Sequence, residues 1–598
     1  MQYKNRSDIE EQYKWDLTKL FPSDSAWEDE YKIVQKEYKN ILVFKNNLKT
    51  AKDLFNCFQC LDNYSRKISN LFTYAKMSLD QDAKSNIYQE QVKKISNFIV
   101  EYQEATSFVS PQINNFSKED LIKFSEDKLL EEYKYSLSKM AINKEHILSE
   151  KEEELLAGVG SFSDDFHAAF SAFDNAEIKF NKVRNDENVL TELTHGNYSM
   201  FLSSKDLSIR KKAFKNMFNS YKNMNETIST LYAGQVKADC FYAKARKYKS
   251  AMDQALVSED VTINVYENLI KSVHANLKNL HRYFKLRANQ LGYKKLNMWD
   301  LHLPIFNVED IKLSYAEALE TVKSALAVLG DEYVNLIDKA VRERWIDVYE
   351  TPGKRNGAYS WGTYDSPPYV LLNYFPTTHD IFTIAHELGH SMHSYFSHKE
   401  QPYATAQYEI FVAEVASTVN EVLLLKYLLK TTTNKELKKY LLSYYLDMFR
   451  TTLFRQTQFA EFEKLAHEHY EQGYPLTSEF FNKEYLKLNK LYYGSNVVSC
   501  KLIQYEWSRI PHFYNSFYVY KYATGITSAV IIANNILSGD KEKLQKYFKF
   551  LSLGGSMSPV EILKVAGVNL EKVETFNIAM QEFNNILTDL ERECRDNG

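Results

Sequence analysis

The sequence predicts a mainly α-helical protein that carries one small β-sheet. Helical periodicity runs through most of the 598 residues, and residues that break helices are scarce, with 18 glycines and 11 prolines. The chain also has 43 tyrosines and 36 phenylalanines. A chain of this length can hold several hydrophobic cores, and two to four domains are expected.

Charge, hydropathy and cysteine content indicate which partners and which location to expect. The 74 basic residues nearly balance the 78 acidic ones, so we expect neither nucleic acid nor an anionic membrane as the main partner. Because the N-terminal residues are polar, we expect no signal peptide, and no apolar run approaches the ~18–20 residues that span a bilayer. Cys57 and Cys60 form a C-x-x-C pair inside a helical pattern, which we interpret as two buried thiols one turn apart. The sparse, odd count of five cysteines predicts a reducing, cytoplasmic location.

The first 200 residues are predicted to form an N-terminal helical domain. Ser23 precedes a helix that enters at Ala26, and helices then follow one another with short interruptions. Residues 176–200 alternate and turn in the manner of a small hairpin, which we interpret as a domain junction. Residues 201–598 resume the helical pattern and are predicted to form a second, catalytic domain.

A non-helical stretch at residues 357–374 is predicted to form two strands of the small sheet. Aromatic and small residues alternate there, and a pair of prolines turns the chain into a second apolar run. An edge strand can bind an extended peptide through main-chain hydrogen bonds, with little sequence preference. Gly357, Ala358 and Tyr359 are therefore the candidate substrate-binding residues. A hairpin with a purely structural role is the alternative.

The strongest chemical signal is the pattern H-E-x-x-H at His386, Glu387 and His390. Residues four apart lie on one face of a helix, so both imidazoles can bind one metal ion. Glu387 lies one step round the helix, where it can take a proton from a water molecule. Catalytic zinc usually has three protein ligands and one open position. We therefore expect one Zn²⁺ ion and a third ligand from elsewhere in the chain.

Glu414 is the preferred third ligand. It lies in a second helical pattern, from about residue 407 to 429, and small residues flank it, so this helix can pack closely on the first. Glu421 lies two turns further along the same stripe, where an outer partner for a ligating histidine is expected. His393 continues the histidine stripe but would reach the same ion only with strain. The acidic alternatives to Glu414 as the third ligand are Glu400, Glu409 and Glu421 itself.

These motifs resemble the thimet-oligopeptidase (M3) family of zinc metallopeptidases, and within it the oligoendopeptidase F group. The resemblance rests mainly on residues 386–396, HELGHSMHSYF, and residues 411–418, FVAEVAST, and weaker motifs extend it over nearly the whole chain. It implies a zinc-dependent endopeptidase with a deep groove that admits short peptides and excludes folded proteins. We expect the N-terminal helices to wall that groove.

The resemblance also implies a donor for the reaction's oxyanion in the aromatic segment 510–525. The family places a histidine and tyrosines there for this role, which indicates His512. Among the tyrosines of the segment, Tyr514 and Tyr520 are favoured. A stripe of core aromatic residues is the structural alternative.

Two further functions stay open from the sequence. A metallo-carboxypeptidase also combines H-E-x-x-H with a later glutamate on a helical fold, but it would need a group that holds the terminal carboxylate of its substrate. A non-catalytic helical scaffold with an accidental motif would bind no metal. The predicted function is hydrolysis of internal bonds in short, unstructured peptides, without a nucleic-acid or membrane partner.

Overall fold

The computed structural model describes residues 3–306, 308 and 311–595, and it confirms the predicted mainly helical fold class. The α-helices are α1 Asp24–Glu37, α2 Ala51–Gln81, α3 Asn86–Thr106, α4 Val109–Asn114, α5 Lys118–Ser125, α6 Lys134–Asn143, α7 Glu150–Ser163, α8 Asp165–Ala172, α9 Tyr198–Ser203, α10 Leu207–Asn223, α11 Asn225–Ala245, α12 Ala251–Ser258, α13 Ile263–Gln290, α14 Tyr315–Leu326, α15 Asp331–Arg342, α16 Thr378–Glu400, α17 Tyr403–Ala406, α18 Ile410–Thr431, α19 Lys435–Phe449, α20 Arg455–Glu471, α21 Ser478–Tyr493, α22 Tyr520–Leu537, α23 Lys541–Leu551, α24 Pro559–Val565 and α25 Val573–Arg595. The strands are short: β1 Val183–Arg184, β2 Leu190–Thr191, β3 Leu296–Asn297, β4 Ile346–Asp347, β5 Tyr359–Trp361, β6 Tyr369–Leu371 and β7 Val497–Val498.

Many helices begin where a polar side chain can accept a free backbone N–H group. Ser23 Oγ accepts the N–H of Ala26 at 3.2 Å, so α1 begins slightly before its predicted start. Thr50 and Asp53 form a reciprocal capping box at the start of α2. A cap of this kind typically stabilises a helix by ~1 kcal/mol. The helix starts are thus encoded locally, in residues that the sequence shows directly.

The chain divides into two compact units, each with its own core. One unit comprises Met1–Ile147, Asp310–Tyr427 and Ile532–Gly567, and the other comprises Leu148–Glu309, Leu428–Ile531 and Val568–Gly598. Both units are discontinuous in sequence. The predicted division into residues 1–200 and 201–598 is based on function and not on compactness, and it stays a prediction.

The first unit contains a three-stranded sheet in the order β4-β6-β5. The central strand β6 is parallel to β4 and antiparallel to β5, with Ser360 opposite Val370. The two strands predicted at residues 357–374 are therefore confirmed as β5 and β6. Strand β4 was not predicted, because two residues are too few to show an alternating pattern. Within the described residues, β5 lies at an edge of this sheet.

Side chains from α2 and α16 hold the β5–β6 hairpin in place. Tyr359 donates its hydroxyl to Asp80 at 3.0 Å, and the Trp361 ring packs 5.9 Å from the Phe72 ring on α2. From α16, the Ser391 hydroxyl donates to the carbonyl of Pro368, between β5 and β6, at 2.9 Å. The helix that carries the H-E-x-x-H pattern is therefore fixed against the predicted substrate strand.

The second unit is built on long helices, with α25 packed against α13 and α19. A π-helical segment, Arg450–Phe454, joins α19 to α20. The buried Arg287 of α13 pairs with Asp447 of α19 at 3.0 Å. The predicted hairpin is confirmed as the antiparallel pair β1 and β2, and β3 pairs with β7 in parallel.

Both cysteines of the C-x-x-C pair lie on α2, one turn apart, and one of the two is fully buried. Cys57 is fully buried, and burial raises the pKa of its thiol to about 12. Burial also raises the pKa of the half-buried Cys60 thiol, and all five cysteines are free. Among the described helices, none is both long and apolar enough to cross a membrane.

Candidate metal centre

The H-E-x-x-H pattern lies in the middle of helix α16. Thr377 caps the helix by accepting the N–H of Asp380 at 3.1 Å, and the helix ends at Glu400, before the Gln401-Pro402 pair. His386 and His390 are one turn apart, and their Nε2 atoms are 3.2 Å apart. The spacing thus places both imidazoles on one face, as the sequence predicts.

Helix α18 approaches α16 unusually closely at Gly389, between the two histidines. A Cβ atom at Gly389 would lie 2.5 Å from Ser417 Cα and 2.8 Å from the carbonyl oxygen of Ala416. These are backbone atoms, which cannot rotate away. Ser417 is fully buried, and Asn420, one turn later, donates to the carbonyl of Ala385 at 3.0 Å. Gly389 therefore sets the distance between the two helices, and with it the position of Glu414.

We expect Gly389→Ala to weaken both folding and metal binding, because the added methyl forces α18 away from α16. Overpacking of this kind typically lowers the free energy of unfolding by ~1–3 kcal/mol. Denaturant unfolding and a zinc-affinity measurement check the two effects. The matched control is Gly158→Ala, where the new Cβ meets no atom within 4 Å, and where a helical Gly→Ala change is expected to stabilise by ~0.5–1 kcal/mol. Equal effects of the two substitutions would contradict the close-approach argument.

His386, His390 and Glu414 bring three candidate metal-ligand atoms into a triangle. Glu414 Oε2 is 3.4 Å from His386 Nε2 and 3.5 Å from His390 Nε2. Two ligands bound tetrahedrally to one Zn²⁺ at ~2.0–2.1 Å would be about 3.3–3.4 Å apart. The three observed edges, including the 3.2 Å between the imidazoles, agree with that value. Among the described residues this is the group of His, Cys, Asp and Glu side chains that could hold a metal ion.

Glu421 takes the outer position that its stripe predicts. Its Oε1 atom is 2.5 Å from His386 Nδ1, so it fixes the imidazole with Nε2 turned toward Glu414. Burial lowers the pKa of His386, but the hydrogen bonds with Glu414 and Glu421 outweigh that effect and raise it to about 10. The same contacts with His386 and His390 hold the pKa of Glu414 far below its usual range. The carboxylates around the histidines therefore favour a bound cation, and a metal ion that binds there would displace protons from the ligand side chains.

Glu387 is buried beside the triangle without joining it. Its side chain is 7% exposed, and its Oε2 atom has no hydrogen-bond partner among the described residues. Burial raises the pKa of this carboxyl group, with a smaller contribution from the negative charge of Glu414 and an opposing one from the two histidines. A buried carboxyl with an oxygen unused by the described residues, next to two candidate ligand histidines, is suited to accept a proton from a reacting water.

The structure separates the rival ligands from the triangle. The His393 ring is buried and stacks on Tyr408 at 3.8 Å between ring centroids. Glu400 is exposed at the end of α16 and lies 3.8 Å from Lys399. Glu409 is exposed just before α18. None of the three belongs to the group of described residues that could hold one ion.

The three candidate substrate-binding residues lie at and just before the edge strand β5. Gly357 has φ +86°, a left-handed conformation that favours glycine, and its carbonyl accepts the Asn373 side-chain amide at 2.7 Å. Ala358 follows it, and Tyr359 opens β5 with its side chain directed to Asp80. The Gly357 carbonyl is therefore already occupied, and main-chain pairing with a peptide would use other groups of this edge.

In the second unit, His512 and the favoured tyrosines occupy different environments. His512 is exposed; its Nε2 atom is 3.4 Å from the Tyr522 hydroxyl, and its ring stacks on Tyr518. Tyr514 is buried and stacks on Phe170 at 4.5 Å. Tyr520 is fully buried, with its hydroxyl 3.4 Å from Glu259. The structure thus brings Tyr518 and Tyr522, rather than Tyr514 and Tyr520, next to His512.

A buried carboxylate that the sequence did not single out holds this aromatic segment. Glu463 is fully buried and accepts the N–H of Phe517 at 2.7 Å, where Phe517 has the strained φ of +57°. Asp239 bonds both the Ser516 hydroxyl and His467, the latter at 3.1 Å. A lone glutamate in an amphipathic helix gives no sequence signal for such a role, because the partner is 54 residues away.

A mainly helical fold with two histidines on one helix and a glutamate on a second helix defines a metallopeptidase of the H-E-x-x-H class. Comparisons with known proteins identify the family within that class. A sequence model of peptidase family M3 matches residues 200–582, and one described as oligopeptidase F matches residues 112–180. The chain belongs to peptidase family M3 and is an oligoendopeptidase F homologue, an oligopeptide-degrading metallo-endopeptidase.

Similar proteins match over the full length of the chain. Oligopeptidase PepF of Bacillus subtilis (strain 168) is 38% identical over 592 residues, which cover 99% of this chain and 88% of that protein. The oligoendopeptidase F homolog of Lactococcus lactis subsp. lactis (strain IL1403) is 39% identical over 594 residues, or 98% of each chain.

Solved structures match the fold as well. A crystal structure from Chlamydophila abortus has a TM-score of 0.94 at 34% identity, covering 99% of this chain and 100% of that one. Oligoendopeptidase-F from Enterococcus faecium has a TM-score of 0.73 at 32% identity, covering 96% and 99%.

Family membership decides between the functions that the sequence left open. The chain is an enzyme rather than a scaffold, and an endopeptidase rather than a carboxypeptidase. The family implies a metal, typically zinc, and peptide substrates, and the candidate ligands His386, His390 and Glu414 agree with that expectation.

Proposed function

We propose that this peptidase binds one Zn²⁺ ion through His386, His390 and Glu414 and cleaves short, unstructured peptides. The observation that carries the proposal is the triangle of ligand atoms, whose edges of 3.2, 3.4 and 3.5 Å suit a single tetrahedral ion. Glu421 supports it, because an outer carboxylate on a ligating histidine fixes the ring and raises its basicity. The cytoplasmic location expected from the cysteines stays a prediction.

Each residue of the site then has a distinct task in peptide hydrolysis. A zinc ion supplies Lewis-acid chemistry, since it polarises a carbonyl group and makes a water molecule more acidic. Glu387 accepts the proton of the attacking water at its unpartnered Oε2 and passes it to the nitrogen of the leaving amine. Its burial disfavours the charged form and so raises the pKa of the carboxyl group, which makes it a better proton acceptor.

The substrate is proposed to lie extended along strand β5. This strand is an edge of its sheet and packs against the helix that carries the metal ligands. Main-chain pairing at residues 357–359, through groups other than the Gly357 carbonyl, would hold many different sequences, because backbone groups are the same in all peptides. Such pairing requires a peptide without structure of its own.

The oxyanion donor is proposed to be His512, together with a tyrosine hydroxyl. Tyr514 and Tyr520 are the tyrosines that the sequence favoured. Tyr522, however, has its hydroxyl 3.4 Å from His512 Nε2, whereas the ring and hydroxyl of Tyr514 are buried in an aromatic cluster. The contact with His512 favours Tyr522.

Substitutions in this segment distinguish the tyrosines. We expect His512→Gln and Tyr522→Phe to lower kcat, by up to ~10²–10³-fold for a donor that acts only in the transition state, with KM and zinc content retained. We expect Tyr514→Phe and Tyr520→Phe to change thermal stability more than kcat, because both side chains are buried. Steady-state kinetics on the four variants provide the check. A large kcat loss in Tyr514→Phe or Tyr520→Phe, with normal turnover in Tyr522→Phe, would instead support Tyr514 or Tyr520 as the oxyanion donor.

The test of the proposed substrate class is a length series of unstructured peptides, run beside a stably folded protein and its permanently unfolded variant. A folded protein must first unfold to lie extended on β5, and a stability of ~5–15 kcal/mol makes that state rare. Short peptides should be cut rapidly and the folded protein slowly or not at all, in agreement with a groove walled by the helices of residues 1–200. Rapid cleavage of the folded protein would refute the groove. Rapid cleavage of the unfolded chain alone, with short peptides resistant, would refute the oligopeptide preference.

A further inference from the structure

The second compact unit contains a cavity of about 180 Å³ that is separate from the metal ligands. Part of its wall is apolar and aromatic. The rest is formed by ionisable side chains from α20 and from segments between helices, namely His195, His302, Arg450, Arg455, Glu506 and Arg509.

The three arginines of this cavity use few of their N–H donors in contacts with the described residues. Arg450 donates from Nε to Asp447 at 2.7 Å, and Arg455 donates from one Nη to Glu506 at 2.6 Å. Arg509 makes no hydrogen bond or ion pair with any described residue; its guanidinium lies 5.3 Å from the centre of the Tyr198 ring, and its Nε atom is buried. A guanidinium offers five donors. Donors that face one cavity without protein partners indicate a ligand that accepts several hydrogen bonds.

The nearby carboxylates are already occupied by other groups. Asp447 also binds Arg287 at 3.0 Å, and Glu506 also accepts the Tyr485 hydroxyl at 2.6 Å. Asp174, which lies 3.6 Å from His195, accepts the Tyr221 hydroxyl at 2.6 Å.

Counting Arg287 with the three cavity arginines, four positive charges face three carboxylates. Among the described residues, this group therefore has one positive charge in excess of its carboxylates. Arg509 is only partly exposed, so that charge is costly unless it is compensated. Water can satisfy N–H donors but cannot neutralise this charge.

We propose that this cavity binds a small oxyanion, a phosphate or carboxylate group, held by the guanidinium groups of Arg450, Arg455 and Arg509. Planar guanidinium groups pair with such oxygens through two parallel hydrogen bonds. The volume of about 180 Å³ is below the ~300 Å³ at which pockets begin to accept drug-sized ligands, so a nucleotide or a peptide would not be enclosed. The imidazoles of His195 and His302 add further hydrogen-bonding groups.

Isothermal titration of the metal-loaded, full-length protein with inorganic phosphate, and separately with acetate, tests this site. Chloride at matched ionic strength serves as the background. We expect saturable binding of one ion per chain for at least one of the two probes, and the stronger of the two identifies the oxyanion class. Arg509→Gln should weaken that binding at least ~10-fold, because it removes charge-assisted hydrogen bonds. Arg509→Lys keeps the charge but loses the planar guanidinium group. Its affinity for the oxyanion should lie between those of Arg509→Gln and the unaltered protein.

Arg592→Gln, at an exposed arginine of the same unit, is the matched control and should bind as the unaltered protein does. Retained peptidase activity verifies that each variant is folded. Binding at the metal centre would survive Arg509→Gln, so it is distinguished from binding in the cavity. Equal affinity in Arg509→Gln and the unaltered protein, or no saturable binding of either probe, would overturn the proposal.

Discussion

Glu387→Gln is expected to abolish nearly all turnover while one zinc ion per chain stays bound. Glutamine has the size of glutamate and fits the same buried position, but it cannot accept the proton of the attacking water. Loss of a general base typically lowers kcat by ~10²–10⁴-fold. Zinc content should not change, because Glu387 lies outside the triangle of His386, His390 and Glu414. Steady-state kinetics on a short peptide and metal analysis of the same preparation measure both quantities.

The matched control is Glu400→Gln, an exposed position in the last turn of the same helix. It should leave kcat and zinc content within error of the unaltered enzyme. Folding stability of Glu387→Gln should be equal or higher, since the substitution removes a carboxyl group that is 7% exposed. Near-normal turnover in Glu387→Gln would exclude the glutamate as the base, whatever its zinc content.

Glu414→Ala is expected to lose both the metal and the activity. Substitution of an outer partner of a metal ligand typically costs 10–100-fold in affinity, so the loss of a direct ligand should exceed ~100-fold. The two histidines alone would remain, and dialysis against a metal-free buffer should strip the ion. Metal analysis after dialysis, together with the zinc concentration needed for half-maximal activity, measures the effect.

A graded series around Glu414 separates a direct ligand from an outer partner. Glu409→Ala, at an exposed residue just before α18, should change neither zinc content nor activity. Glu421→Gln should fall between, with a ~10–100-fold weaker zinc affinity, because it loosens His386 without removing a ligand. Stoichiometric zinc in dialysed Glu414→Ala would remove Glu414 from the ligand set and make Glu421 or His393 the candidate third ligand.

The arrangement of the candidate metal ligands was largely predictable from the sequence because its information is local. Two histidines four residues apart fix each other's geometry through the helix repeat alone. Glu414 was more difficult, since it depends on how α18 packs, but its small neighbours indicated a close helix, and Ser417 is fully buried at that contact. The two strands at residues 357–374 were also readable, because alternation and a proline turn are short-range signals.

Features that depend on distant contacts could not be predicted in this way. Which tyrosines lie beside His512 depends on a turn at Phe517 that Glu463 stabilises from another helix. Gly389 could be seen as part of a motif, but its near-contact with Ser417 Cα requires the second helix to be in place. The surplus of arginines in the cavity of the second unit arises from several separate segments, each of which carries unremarkable charges.

Zinc titration of the metal-free enzyme tests the central claim, that a single ion held by His386, His390 and Glu414 makes the peptidase active. Metal is removed with a chelator, and the cleavage rate of a short unstructured peptide is followed as zinc is added back in known amounts. The account predicts no activity without metal, a linear rise, and a sharp break at one zinc ion per chain. Full activity in the metal-free enzyme, or a break at two ions per chain, would contradict it.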